Sequence, residues 1–245
     1  MSVSRNKTGE LIVSTRTNIS GSHYDLQHQN NTIRTLQKFF GGSVVTDEGK
    51  GRYFHPDGSA PSPSQSGCHK AFQHFGGNLI KTDVYLMNRV FPNKQWEKTG
   101  VFGFMDAMNP RLLSNNLLLP YLVAVLEDYF KSTFVALLKY SDRKESFLKG
   151  SRLSSEQLCR ISSGSMSVEE AVSEILPFQS ISAICQHFHQ LEPKLDLAGA
   201  LKRPYRRRKQ SLFITLDHLV KLRHDFIHRA EMDTTFTDNE LKRVT

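Results

Sequence analysis

The chain has 245 residues, 38% of them apolar and 23% charged, an ordinary balance for a soluble protein with one large or two small domains. Its three cysteines, Cys68, Cys159 and Cys185, are too few and too scattered for a disulfide framework, which points to a reducing compartment. No apolar leader opens the sequence and no apolar run approaches the ~20 residues of a membrane span, so the expectation is a cytoplasmic protein with no membrane partner and a formal net charge of +8.

Taken in order, residues 1–20 are polar and read as a flexible lead-in. Residues 21–112 form an N-terminal region of mixed character. Within it, Leu26, Ile33, Leu36, Phe39 and Phe40 recur at near-helical spacing and predict a helix over 25–40, stopped by Gly41 and Gly42. Residues 43–46 and 52–55 flank a glycine-containing turn and predict a small β-hairpin. The stretch 56–67 holds three prolines and several serines and reads as a loop. A short helix over 67–75, ended by Gly76 and Gly77, and a second over 78–90 are expected next. Residues 92–110, with Trp96, Phe102 and Phe104, read as a connector covering an apolar surface.

The second half is more regular. Asn115 or Asn116 can cap a long helix with Pro120 in its first turn, and Leu122, Val125, Leu126, Tyr129, Phe130, Phe134, Leu137 and Leu138 give that helix a core stripe. Ser154 with Gln157, and Ser167 with Glu170, have the spacing of capping boxes. Another amphipathic helix is expected over 178–191, and a last long one over 211–229. Residues 236–245 form a tail in which Thr237 and Glu240 allow one final turn. The predicted architecture is mainly α, with a helical bundle over 113–235.

The helix over 211–229 carries the anomaly. Leu212, Leu216, Leu219, Val220, Phe226 and Ile227 share one stripe at about 100° per residue, and Arg223 falls in the middle of it. A guanidinium on an apolar face needs a partner, because an unpaired buried charge costs several kcal/mol. His224 and His228 sit one turn apart on a polar edge with Asp217 and Lys221. Upstream lies a basic run, Arg206, Arg207, Arg208 and Lys209. Residues 194–229 hold ten basic side chains against three acidic ones, a net of +7 that is nearly the whole excess. Such a cluster suits a polyanion, through release of condensed counterions.

The run Arg223-His224-Asp225-Phe226-Ile227-His228, placed on the last long helix of an all-α pattern, resembles the signature of the HEPN superfamily, the higher eukaryotes and prokaryotes nucleotide-binding domains. The resemblance covers residues 115–235. It implies a HEPN-like bundle and a metal-independent endoribonuclease of toxin or phage-defence type, with Arg223, His224 and His228 as catalytic residues and RNA as substrate. It also implies products with a 2′,3′-cyclic phosphate and a 5′-hydroxyl. The residue types fit that chemistry. Histidine moves protons near neutral pH, and arginine holds a phosphate as charge develops on it.

On a straight helix, Arg223 and His228 point about 140° apart, so one copy converges poorly on one phosphate. The family resemblance answers this with a homodimer whose two motifs share a cleft. Arg206, Arg207, Arg208, Lys209, Lys221 and Arg229 are the expected RNA contacts, and Glu127 or Asp128 on the earlier helix could neutralise Arg223. No cofactor and no metal are expected. His224 and His228 lack a third ligand, and His55, Cys68, His69 and His74 match no strong zinc spacing. Residues 1–110 carry no chemical motif, and two roles suit them: restricting access of substrate or binding a neutralising partner protein. A non-catalytic HEPN-like module that binds RNA, a nucleotide or a protein is the alternative, and a helical interaction protein with an incidental basic face is a third reading.

Overall fold

A computed structural model describes residues 2–6, 9–16, 23–46, 49–54, 60–91, 106, 108–205 and 210–244. Most of the expected connector over 92–110 (residues 92–105 and 107), His55 and the run Arg206, Arg207, Arg208 and Lys209 lie outside the described residues. The chain is mainly helical, with small hairpins near its start, and it divides into two compact units, residues 1–69 and 70–245.

In the first unit, β1 (Ser2–Arg5) and β2 (Leu11–Ser14) pair antiparallel, Ser2 opposite Ser14 and Arg5 opposite Leu11. This hairpin replaces the expected flexible lead-in. It is closed by polar turn bonds, from Glu10 N–H to the Asn6 Oδ1 at 2.8 Å and from Asn6 Nδ2 to the Glu10 carboxylate at 2.7 Å. Helix α1 (His23–Phe40) matches the predicted spacing. The second hairpin is tighter than predicted: β3 (Val45–Thr46) pairs with β4 (Gly49–Lys50), not with residues 52–55. Gly49, the first residue of β4, has φ 120°, a conformation that glycine alone enters without strain. Tyr53 and Phe54 are then left to pair with α1.

Helix α2 (Pro63–Asn88) runs unbroken through Gly76 and Gly77, which corrects the expected stop. Two interior glycines cost about 0.5–1 kcal/mol each relative to alanine. That cost is offset because the helix is anchored on both sides of them, by Phe75 in one core cluster and by Leu79 and Leu86 in another.

Helix α3 (Pro110–Lys139) is the spine of the second unit. It starts five residues before the expected cap: Asn109 is the N-cap, its side chain accepting from the Arg111 N–H, and Pro110 occupies the first turn. Pro120 therefore lies inside the helix. Its C-terminal half presents the predicted stripe, with Leu126, Phe130, Phe134 and Leu138 buried against Val172 of α6 (Val168–Ile175), against Phe178, and against Ile181, Ile184, Cys185, Phe188 and Leu191 of α7 (Ile181–Leu191). Phe134 is fully buried, with edge contacts to Phe178 at 5.6 Å and Phe188 at 6.0 Å. Between these helices run α4 (Lys144–Gly150) and α5 (Ser155–Ser162), and both predicted capping boxes form, at Ser154 with Gln157 and at Ser167 with Glu170.

The N-terminal half of α3 makes a second core with α9 (Leu212–Arg229) and the C-terminal segment, where Leu119, Leu122 and Val123 meet Leu219, Phe236 and Leu241. Helix α8 (Leu197–Lys202) precedes α9, and α10 (Asp238–Val244) follows it. Asn115 and Asn116 are not caps. Both are fully buried, and they hold the segment after α9. Asn116 Nδ2 donates to the Asp233 carbonyl at 3.0 Å and its Oδ1 accepts from the Asp233 N–H at 3.0 Å, while Asn115 Nδ2 donates to the Phe236 carbonyl at 2.9 Å. Arg89 completes the clasp, donating to Asn115 Oδ1 at 2.7 Å and to the Asp238 carboxylate at 2.6 Å. Among the described residues, no helix is long and apolar enough to cross a membrane.

Candidate functional site

Ser211 caps α9 through the Ile214 N–H, and the helix ends at Ala230, whose left-handed φ of 53° places its N–H on the Asp225 carbonyl. The three motif side chains thus sit in the last two turns of an element clamped at both ends.

Only part of the expected apolar stripe of α9 is covered. Leu219 is buried and Leu216 and Val220 are partly so, but Ile227 is 45% exposed. Leu222, which lies off the expected stripe, packs into the second core instead. The helix is therefore rolled slightly relative to the predicted face. Arg223 remains half-buried, and its Nε lies out of solvent with no hydrogen-bond partner among the described residues.

Of the two carboxylates expected beside Arg223, Glu127 on α3 is the one that feels it. Burial pushes the Glu127 carboxyl above its ordinary range, and the charge of Arg223 pulls it partly back. The two form no direct salt bridge among the described residues, and Glu127 Oε1 is itself buried without a hydrogen bond. Asp128 points elsewhere, toward His74 at 3.7 Å. The arrangement is a guanidinium and a carboxylate held close and incompletely satisfied, a costly state that invites an additional polar group.

His224 and His228 are exposed and in contact, ring centroids 4.6 Å apart and planes tilted by 48°. Lys221 pairs with Asp217 at 3.0 Å and Arg229 with Asp225 at 3.3 Å, both one turn apart on the helix surface. Exposed pairs of this kind are worth about 0–1 kcal/mol, so a phosphate can compete for either cation. Gln179, Val220, Lys221, Arg223, His224 and Asp225 line a shallow cavity of about 260 Å³. That volume is below the ~300–1,000 Å³ of an enclosed small-molecule pocket, and an extended backbone laid across the surface fits it better than a buried ligand.

The structure thus brings Arg223, His224, Lys221 and Glu127 to one neighbourhood, with His228 and Arg229 a turn further along α9. Gln179, just before α7, joins this neighbourhood, and nothing in its local spacing marks it in the sequence. Among the described residues, no group of three or more His, Cys, Asp and Glu side chains is placed to hold a metal ion. Comparisons with protein-family models, with curated proteins and with solved structures returned no match to this chain.

Proposed function

We propose that the protein is a HEPN-type, metal-independent endoribonuclease of toxin or phage-defence kind, cutting RNA in a cleft made by two copies of α9. The observation that carries this reading is Arg223: a guanidinium half-buried beside a half-buried carboxylate, and next in sequence to a histidine pair in ring contact. Arg223 would hold the phosphate as negative charge builds on it. His228, with His224 orienting it, would move the proton of the attacking 2′-hydroxyl or protonate the leaving 5′-oxygen. Internal attack breaks the bond from phosphorus to the 5′-oxygen, leaving a 2′,3′-cyclic phosphate and a 5′-hydroxyl. The exposed Ile227, next to the motif on the same helix, supports a second subunit as the missing cover. Arg206, Arg207, Arg208 and Lys209, together with Lys221 and Arg229, would follow the RNA backbone.

Cleavage of a structured RNA in EDTA tests the reading. The wild type should cut, and His228→Ala should lose about 10²–10⁴ in rate with its helical content unchanged, the usual loss for a general acid–base. Equal rates in the two proteins would remove the claim. The non-catalytic binding module draws on a different fact: within one chain Arg223 faces α3 while His228 is exposed, so a lone copy has no convergent site. It would bind RNA in a strongly salt-dependent way and cut nothing.

A further inference from the structure

A second polar depression lies in the first unit. His23, Gln27, Asn30, Asn31 and Arg34 recur at steps of three and four along α1 and therefore share one face. With Tyr53 and Phe54 they line a cavity of about 540 Å³, within the range of small-ligand sites. The helix side of the cavity is made of amides, an imidazole and a guanidinium, and no carboxylate lines it among the described residues.

The groove is built. Asn30 is buried and grips the backbone of Phe54 in both directions, its Nδ2 donating to the carbonyl at 2.7 Å and its Oδ1 accepting from the N–H at 3.1 Å. Gln29, also buried, donates to the Thr15 carbonyl at 3.1 Å. These bonds fix Tyr53 beside α1, where its hydroxyl donates to Gln37 Oε1 at 2.7 Å and the Arg34 guanidinium lies over its ring at 4.8 Å. His23 Nε2 meets Gln27 at 2.9 Å, and His23 Nδ1 is buried with no partner among the described residues.

We propose that this groove takes an unpaired base of single-stranded RNA. Side-chain amides carry a donor and an acceptor side by side, the complement of a base edge, and an arginine stacked on a tyrosine gives a base a π platform beside a cation for its phosphate. A protein partner would want aliphatic anchors, and none lines the cavity among the described residues. The choice of RNA over other sources of a base rests on the ribonuclease reading; the groove's own chemistry does not.

The test is fluorescence anisotropy of a labelled single-stranded RNA of about twelve nucleotides, a length in the usual range of such sites. It is read against the full chain carrying His228→Ala to prevent cutting. Adding Asn31→Ala or Arg34→Ala, both at exposed positions, should each weaken binding by at least about five-fold, the low end for losing one base contact. Lys38→Ala removes a charge from the same helix outside the groove and should change binding less than two-fold, roughly the screened share of one exposed cation. Parental affinity in both groove variants, or an equal loss from Lys38→Ala, would overturn the proposal. Parallel cleavage assays separate it from the nuclease reading. Weakened binding without His228-dependent cutting keeps the groove and removes the nuclease, whereas His228-dependent cutting with unchanged binding does the reverse.

Discussion

His187 on α7 shows how one side chain sets a pH limit. It is half-buried between Phe178 and Phe134, ring centroids 6.0 and 6.5 Å away, and neither ring nitrogen makes a hydrogen bond. Burial lowers its pKa from the ordinary 6.5, and the Gln190 side chain opposes this in part. A histidine whose folded pKa is depressed binds protons more readily when unfolded. Its contribution is therefore complete above about pH 6.5 and is lost as pH falls through the interval below. Denaturant midpoints at pH 5 and pH 8 should show a smaller acid loss in His187→Leu than in the wild type. An identical pH dependence in the two would show that this ring is not held neutral. Glu127 is the opposite case at the candidate site. Its raised pKa makes its charged form a cost at neutral pH, which the protein tolerates beside Arg223.

At the level of elements, Gly76 and Gly77 separate what local pattern shows from what packing decides. A glycine pair after an apolar run reads as a helix stop, yet α2 continues through it and a Cβ at either position would meet nothing within 4 Å. Gly76→Ala and Gly77→Ala should each raise stability, by about 0.5–1 kcal/mol, in chemical denaturation. Unchanged or lower stability would mean the helix does break there. The capping boxes at Ser154 and Ser167 are legible in sequence because a cap is local: donor and acceptor lie three residues apart. The roles of Asn115 and Asn116 are not, because their partners, Asp233, Phe236 and Asp238, lie more than a hundred residues away. Sequence shows two amides in a leucine run and cannot show that the C-terminal segment comes back to them. Asn116→Ala leaves the Asp233 N–H without its partner, at about 1–3 kcal/mol for a buried group left unsatisfied, and leaves the Asp233 carbonyl only its bond from the Phe236 N–H. Limited proteolysis should then release the segment after Arg229 well before α3 is cut. Wild-type resistance would remove the clasp as an anchor.

For the whole molecule, the mainly helical character, the core stripe of α3 and the anomaly of Arg223 are all legible in the residues alone. The roll of α9 is not, because Leu222 and Ile227 differ in burial through contacts with α3 and the C-terminal segment rather than through their own spacing. Function then becomes a matter of assembly. One chain offers a half-buried guanidinium on one side of α9 and exposed imidazoles on another, about 140° around the helix from Arg223 to His228. On the proposed reading, a productive pair would join Arg223 of one copy to His228 of the next, across an isologous contact.

Mixing inactive variants tests that claim most directly. Arg223→Ala and His228→Ala chains, each unable to cut RNA in EDTA beside an active wild type, are unfolded together and refolded as a mixture. The account predicts that activity returns, because the mixed dimer holds an arginine on one chain facing a histidine on the other. It also predicts that the doubly substituted chain refolded with an excess of His228→Ala stays inactive. A mixture of the two single variants as silent as its components would contradict a shared cleft.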